Sequence, residues 1–184
     1  AGPAGPWSKQ KDVVPFQAKP RTHYSVTASP GQIVKQGEEY IMVFSAATDH
    51  PIRRTVTETD NVLFTAMTHN PALLHLDEEY MKGTEFGARI VNSAFTLGLM
   101  VGISVAETTL GTAIANLGWD EVRFPKPLFH GDTVRVESEV LELRDSRSRP
   151  RNGIVIFAHR AFNQHEVLVA SCKRSALMLR KPPV

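Results

Sequence analysis

The sequence predicts an α+β domain in which an antiparallel sheet wraps around one long buried helix. Three observations predict it. A stretch apolar on almost every face, RIVNSAFTLGLMVGISVAETT, stands mid-chain. Four segments whose apolar residues recur every second position follow it: AIANLGWDEVRF, DTVRVESEVLELRD, GIVIFAHRAFNQ and VLVASCKRSALML. Turn signals separate those segments at Pro125-Lys126-Pro127, Gly131-Asp132, Asn152-Gly153 and Gln164-His165. A buried helix followed by successive long strands is one layer packed on another. No repeat and no second domain appear, and 184 residues suit a single core.

The elements follow in chain order. Residues 1–30 are rich in Pro, Gly and Ala and lack the apolar content of a packed unit, so they read as an extended arm, with the domain at 31–184. Tyr40 to Thr55 is strand-like. In TVTETDNVLFTAMT, Thr57 and Asp60 form a helix-capping signal, and Val62, Leu63 and Met67 have helical spacing. HNPALLHLDEEYMKG reads as loop and short helix, with Asp77-Glu78-Glu79 suited to a helix N-terminus. The long helix opens on Asn92-Ser93 and is expected to be buried on most faces. Gly98 and Gly102 within it are expected to admit close backbone approach to a sheet.

Composition narrows the function classes. A net charge of +2 gives no bulk field for nucleic acid or an anionic membrane. The one cysteine, Cys172, excludes an internal disulfide and reads as strand packing. The first residues lack the apolar core of a secretory signal, and the run Ala94 to Ala106 is shorter than the ~20 residues that span a bilayer. A cytoplasmic protein is expected, with the mitochondrial matrix left open.

The chemistry concentrates between Met67 and Gly98, where a polar loop carrying His and Asn leads to a helix N-terminus. Acyl-thioester chemistry needs such a pair: one element handles a proton and the other holds a developing oxyanion. His75-Leu76-Asp77, Phe86-Gly87, Ile90-Val91 and Phe129-His130-Gly131-Asp132-Thr133 together resemble the MaoC-like dehydratase and (R)-specific enoyl-CoA hydratase family over residues 50–180. The resemblance implies a hotdog fold, a hydro-lyase acting on an acyl-CoA, and a homodimer or higher oligomer with sites near the seam. With His75 as anchor, the family's catalytic Asp falls on Asn70, its Asn on Ala72 and its Pro on Leu73. Its helix-opening His-Gly falls on Asn92-Ser93, and a helix Ser falls on Gly98. Thr68-x-Asn70, Val91-Asn92-Ser93, Asn116-Leu117-Gly118-Trp119, the segment Arg144 to Pro150, and Asn163-Gln164 are similar instead to a subgroup associated with mesaconyl-CoA and itaconyl-CoA hydration.

The site expectations follow. His75 is the acid/base, since imidazole exchanges protons near neutral pH. Asn70 cannot be a base, but it can orient water by its carbonyl or donate by its amide; it also reads as a plain turn residue. Asn92 and Ser93 offer a helix N-terminus to the thioester oxygen, although Asn92 also reads as a cap alone. Arg89 and Arg123 are candidates for a substrate's distal carboxylate. Arg147 and Arg149 either contact CoA phosphates or form a solvated hairpin tip. His69 and His130 read as structural. His69, His75 and Asp77 lack a zinc spacing, so no metal is expected, and no cofactor beyond the thioester substrate. A thioesterase and a non-catalytic acyl-thioester-binding protein are the rivals. Neither a nucleic-acid nor a membrane partner is expected.

Overall fold

In the computed structural model the described residues are 27–36, 39–47 and 52–180. They fall into two units divided between Asp49 and His50. In the first, β1 (Thr27–Gln36) pairs antiparallel with β2 (Glu39–Ala47), and its register shifts between Pro30 and Ile33. Proline brings no N–H to a ladder, which suits an irregularity there. Residues 1–26 of the expected arm lie outside the described residues, and its last four open β1.

The second unit is a five-stranded antiparallel sheet in the order β3-β5-β6-β7-β4. Its strands are β3 (Arg53–Thr55), β4 (Ala113–Arg123), β5 (Thr133–Asp145), β6 (Asn152–Phe162) and β7 (Leu168–Leu179). The four long strands coincide with the four alternating segments of the sequence, because a two-residue period places one side of each strand against a core. Among the described residues four helices precede them: α1 (Glu58–Met67), α2 (Leu73–Leu76), α3 (Glu78–Lys82) and α4 (Ser93–Thr108). No described helix is long and apolar enough to cross a membrane.

The core lies between α4 and the sheet. Met100 and Ile103 of α4 join Val134, Ala161, Val169, Ala170 and Cys172 of β5, β6 and β7. Burial pushes the Cys172 thiol up to about 11, which keeps it protonated and inert. A smaller cluster of Phe157, Ala176 and Met178 continues the same sheet.

Two sequence expectations change here. First, α4 is covered on one side only: Ser93, Ala94, Gly98, Gly102, Ala106 and Glu107 are exposed. A Cβ added at Gly98 or Gly102 would meet nothing within 4 Å, so these glycines do not approach the sheet. Second, α1 turns Asn61 and Thr65 inward, while Leu63 and Met67 are 57% and 73% exposed. The polar pair faces in because backbone groups need partners there, as described below. The expected cap is present: Thr57 Oγ1 accepts from the Asp60 N–H, and the Asp60 carboxylate accepts from the Thr57 N–H.

One inward polar group sets a pH dependence. His159 is fully buried, stacks on Phe157, and bonds Ser138 Oγ through Nδ1 at 2.7 Å. Burial, and then the Arg174 charge, push it down to about 4. Between that value and the ordinary ~6.5, the unfolded chain binds a proton that the folded chain refuses. Stability is therefore expected to fall as pH drops through this window, by about 2–3 kcal/mol from this group between pH 7.5 and 4.5. Urea unfolding at the two pH values should show the loss in the parent protein and less of it in His159→Gln. Equal losses would show that His159 does not control it.

Candidate active site

The segment from α1 to α4 is folded back on itself by short-range bonds. Thr68 closes α1, its hydroxyl donating to the Phe64 carbonyl at 2.9 Å. His69 then takes a left-handed conformation, φ 53°, which reverses the chain. The Asn70 N–H returns to the Thr65 carbonyl at 3.1 Å, and Asn70 Oδ1 accepts from the Ala72 N–H at 3.0 Å. That Asx turn launches α2, which carries His75. Asp77 caps α3 by accepting from the Tyr80 N–H. Gly87, φ 68°, allows the turn that leads into Ile90.

Asn61 ties these pieces together. It is completely buried. Its Oδ1 accepts from the Asn92 N–H at 2.8 Å. Its Nδ2 faces the carbonyls of His75 (3.2 Å) and Ile90 (3.4 Å) and His130 Nε2 (2.9 Å). Both carbonyls can only accept, so the Nδ2 hydrogens point to this side and His130 Nε2 is an acceptor. Burial and the nearby Arg89 charge lower the His130 pKa, which favours that neutral state. His130, expected as part of a turn, thus belongs to the network behind the site.

His75 is 7% exposed, and its Nδ1 lies 2.9 Å from the Ile90 carbonyl. Since the carbonyl cannot donate, Nδ1 carries the hydrogen. Nε2 has no partner among the described residues, and in the neutral ring it is the nitrogen that holds the lone pair. Three residues beyond Ile90, the 16-residue helix α4 begins. Its cap, Asn92, is spent at both ends of the side chain: Oδ1 accepts from the Ala94 N–H at 3.0 Å, and Nδ2 donates to Thr65 Oγ1 at 3.4 Å. The structure gives Asn92 the capping role, with one of its two Nδ2 hydrogens used. The N–H groups of Ser93 and Phe95 have no acceptor among the described residues, and they sit at the positive end of the helix dipole.

A cavity of about 290 Å³ opens beside the start of α4, lined by Phe86, Ile90, Ser93, Thr96, the Phe124–Leu128 segment and Val169 among others; neither His75 nor Asn70 is part of its wall. Its wall is mostly apolar with few polar groups, the usual character of a small-molecule pocket. Asn70 is partly exposed with its carbonyl used in the Asx turn, so its amide is the group left to act on a ligand.

The arginines separate. Arg89 is committed to acids, with Glu58 at 2.7 Å and Glu78 at 2.9 Å, and is not free for a substrate carboxylate. Arg123 is exposed at the end of β4, next to the cavity-lining Phe124. Arg147 and Arg149 are exposed in the β5–β6 turn. The 13-residue strand β5 separates that turn from Asp132, roughly 40 Å at ~3.3 Å per residue, so the fold does not bring them to this cavity. Among the described residues no three His, Cys, Asp or Glu side chains are grouped as metal ligands.

Helix, wrapped sheet and this loop define a hotdog-fold domain, and residues 43–158 match the MaoC-like domain family. The chain belongs to that family. It is 33% identical to the mesaconyl-CoA hydratase of Cereibacter sphaeroides over 132 residues, which is 72% of this chain but 38% of that relative. An Archaeoglobus structure described as a monoamine oxidase regulatory protein superposes with a TM-score of 0.64 at 28% identity, covering 91% of this chain and all of that one. A Mycobacterium tuberculosis protein described as a double hotdog fold superposes with a TM-score of 0.64 at 20% identity, covering 74% of this chain and 42% of that one.

Asn61 had no part in the sequence reading, although its place in the network is testable. Leaving a buried polar group unsatisfied costs roughly 1–3 kcal/mol. Asn61→Ala exposes several at once, so urea unfolding should show a loss of at least about 2 kcal/mol. Leu63→Ala, on the exposed side of the same helix, should change stability by less than about 0.5 kcal/mol. Similar small values for both would dismiss Asn61 as the tie.

Proposed function

We propose that this chain hydrates an enoyl-CoA, or dehydrates the corresponding hydroxyacyl-CoA, as a hydro-lyase that needs no cofactor beyond its thioester substrate. One observation carries the reading: His75, fixed through Nδ1, stands just ahead of a helix N-terminus, and neither its Nε2 nor the Ser93 and Phe95 N–H groups have a partner among the described residues. Hydration adds a water oxygen to C3 and a proton to C2. Nε2 takes the proton from water as the C3–O bond forms, and the electron pair of the C=C bond moves onto the thioester oxygen. The Ser93 and Phe95 N–H groups stabilise that enolate oxygen. The imidazolium then returns the proton to C2. The Asn70 amide donates to water or thioester, and the apolar cavity wall takes the acyl chain.

The finer reading is a short, branched, dicarboxylic enoyl-CoA of the mesaconyl or itaconyl type. The identity to the Cereibacter relative supports it, as does the Asn70 and Asn92-Ser93 pattern. Exposed Arg123 beside the cavity is the charge available at its rim. A second copy of the chain is proposed to pair along β4. That edge strand leaves Ile114, Leu117 and Trp119 38–50% exposed, a surface that edge pairing would cover. The thioesterase alternative is weakened by the carboxylates it would need. Asp77 caps α3, and Glu78 is paired with Arg89.

Incubation with crotonyl-CoA and mesaconyl-CoA, followed by mass spectrometry, should show the gain of one water and no free CoA. His75→Ala should lower kcat by roughly 10²–10⁴-fold with the fold intact, the usual cost of losing a general acid/base. Activity within a few-fold of the parent would remove His75 from the mechanism. Asn70→Ala should be severe, while Asn70→Asp, which still accepts from the Ala72 N–H, should keep part of the activity. Parent-like behaviour in both would make Asn70 a turn residue only. Binding of the thioesters without turnover would favour the non-catalytic reading.

A further inference from the structure

The turn between β5 and β6 is shaped by its own bonds. Ser146 is buried there; its N–H donates to the Asn152 carbonyl at 3.1 Å, and its hydroxyl accepts from the Arg149 N–H at 3.2 Å. The Asn152 N–H closes the turn on the Arg149 carbonyl at 2.8 Å. A turn fixed in this way holds Arg147, Arg149 and Arg151 exposed, and none of the three meets an acid among the described residues. Nearby arginines differ: Arg144 pairs with Glu142, and Arg180 with Asp145. Three guanidinium groups on one turn suit phosphate, which the planar fork binds in bidentate fashion. CoA carries a 3′-phosphate and a diphosphate. The cavity does not answer that charge, since among its described lining residues Lys126 alone is charged. Within one chain the turn is a full strand away, roughly 40 Å along β5 at ~3.3 Å per residue.

A second copy reverses that geometry. The register sets Gly153 of β6 and Ala113 of β4 both opposite Met178, so the arginine turn stands level with the start of β4. The cavity wall begins at the other end, where Phe124 follows Arg123. Antiparallel pairing of two β4 edges about a two-fold axis near Gly118 lays Ala113 of one copy beside Arg123 of the other. The turn then lies across β6, β7 and β4 from the second copy's β4, roughly 14 Å at ~4.8 Å per strand. An extended pantetheine arm, which separates the thioester from the phosphates, has that reach. The path runs over the end of the sheet, where Leu110 and Leu179 are exposed, and not through the core.

We propose that the site is shared between two copies: His75 and the α4 N-terminus of one copy act on the thioester, and Arg147, Arg149 and Arg151 of the other bind the CoA phosphates. The proposal rests on the hydratase reading above and on the β4 pairing given with it. It gives the arginine turn a ligand that its own chain cannot bring to it.

The test compares kcat/KM for crotonyl-CoA with that for crotonyl-pantetheine, which lacks the phosphates. The parent protein should prefer crotonyl-CoA. Arg147→Ala, Arg149→Ala and Arg151→Ala combined should cut that preference roughly 10-fold or more, through KM. An unchanged preference would overturn the subsite and leave the hydratase reading standing. Mixed dimers decide which copy supplies the arginines. One copy carries His75→Ala, the other carries the three alanines, and two tags select the heterodimer. Its intact His75 faces the arginines of the His75→Ala copy, so KM for crotonyl-CoA should return to the parent value. A KM as high as that of the triple variant would overturn the sharing, as would a parent protein that is monomeric by light scattering. A binding arm needs no turnover. CoA that bridges two copies should hold the parent dimer together on dilution, while pantetheine should not. The triple variant should lose the response to CoA. Equal effects of CoA and pantetheine would overturn the proposal. If no enoyl thioester is hydrated, the hydratase reading fails and this arm still decides the sharing.

Discussion

The side chain of Asn61 holds the site in register. It joins one backbone N–H and two backbone carbonyls from three separate places: α2, the approach to α4, and the first residue of the α4 cap. None of these could find a partner in regular secondary structure, because each sits where the chain is turning. A buried N–H or C=O left bare would destabilise the loop more than the burial of nearby side chains could offset. A side-chain amide supplies two donor hydrogens and an acceptor oxygen on separate atoms, which this joint uses together. His75 takes its ring position from the same Ile90 carbonyl that Asn61 helps to fix. Phe64 of α1 adds an edge-to-face contact with Phe95 of α4, 5.5 Å between centroids, which fixes the two helices beside this joint.

Most of the fold was legible in the sequence because its signals are local. The four strands follow from two-residue alternation. The α1 cap follows from Thr57 and Asp60, and the start of α4 from Asn92-Ser93. The hotdog architecture and the family followed from the spacing of His75, Phe86 and the later Gly-Asp turn. The site was legible only in part. Asn61 is an ordinary mid-helix residue by composition, and its meaning depends on chain segments 14 to 31 residues away. One signal was present and was not used. Asn61 and Thr65 stand four apart, a polar pair at helical spacing, and the structure buries both. The apolar Leu63 and Met67 drew the helix the other way around.

Charge followed the same logic. Sequence shows where arginines are but not which carboxylates they meet. Arg89 lies just before α4 in sequence, but it closes an ion-paired strut between the first turns of α1 and α3. Arg147 and Arg149 lie at the far end of a long hairpin. Arg174, hidden in an alternating strand that reads as core, is buried and meets no acid among the described residues. Folding decides these cases through strand length and cross-strand register, neither of which is expressed in a residue's own neighbourhood.

The exposed side of α4 has a consequence for durability. Glycine in a helix interior costs about 1 kcal/mol relative to alanine, through the backbone freedom it surrenders. Gly98 and Gly102 stand one turn apart in the same helix, and neither returns a close contact within the described residues. The helix that carries the site therefore holds roughly 2 kcal/mol of unused stability. A methyl group at either position has open space, so a heat-tolerant form of this protein would begin on the face of α4 that looks away from its own sheet.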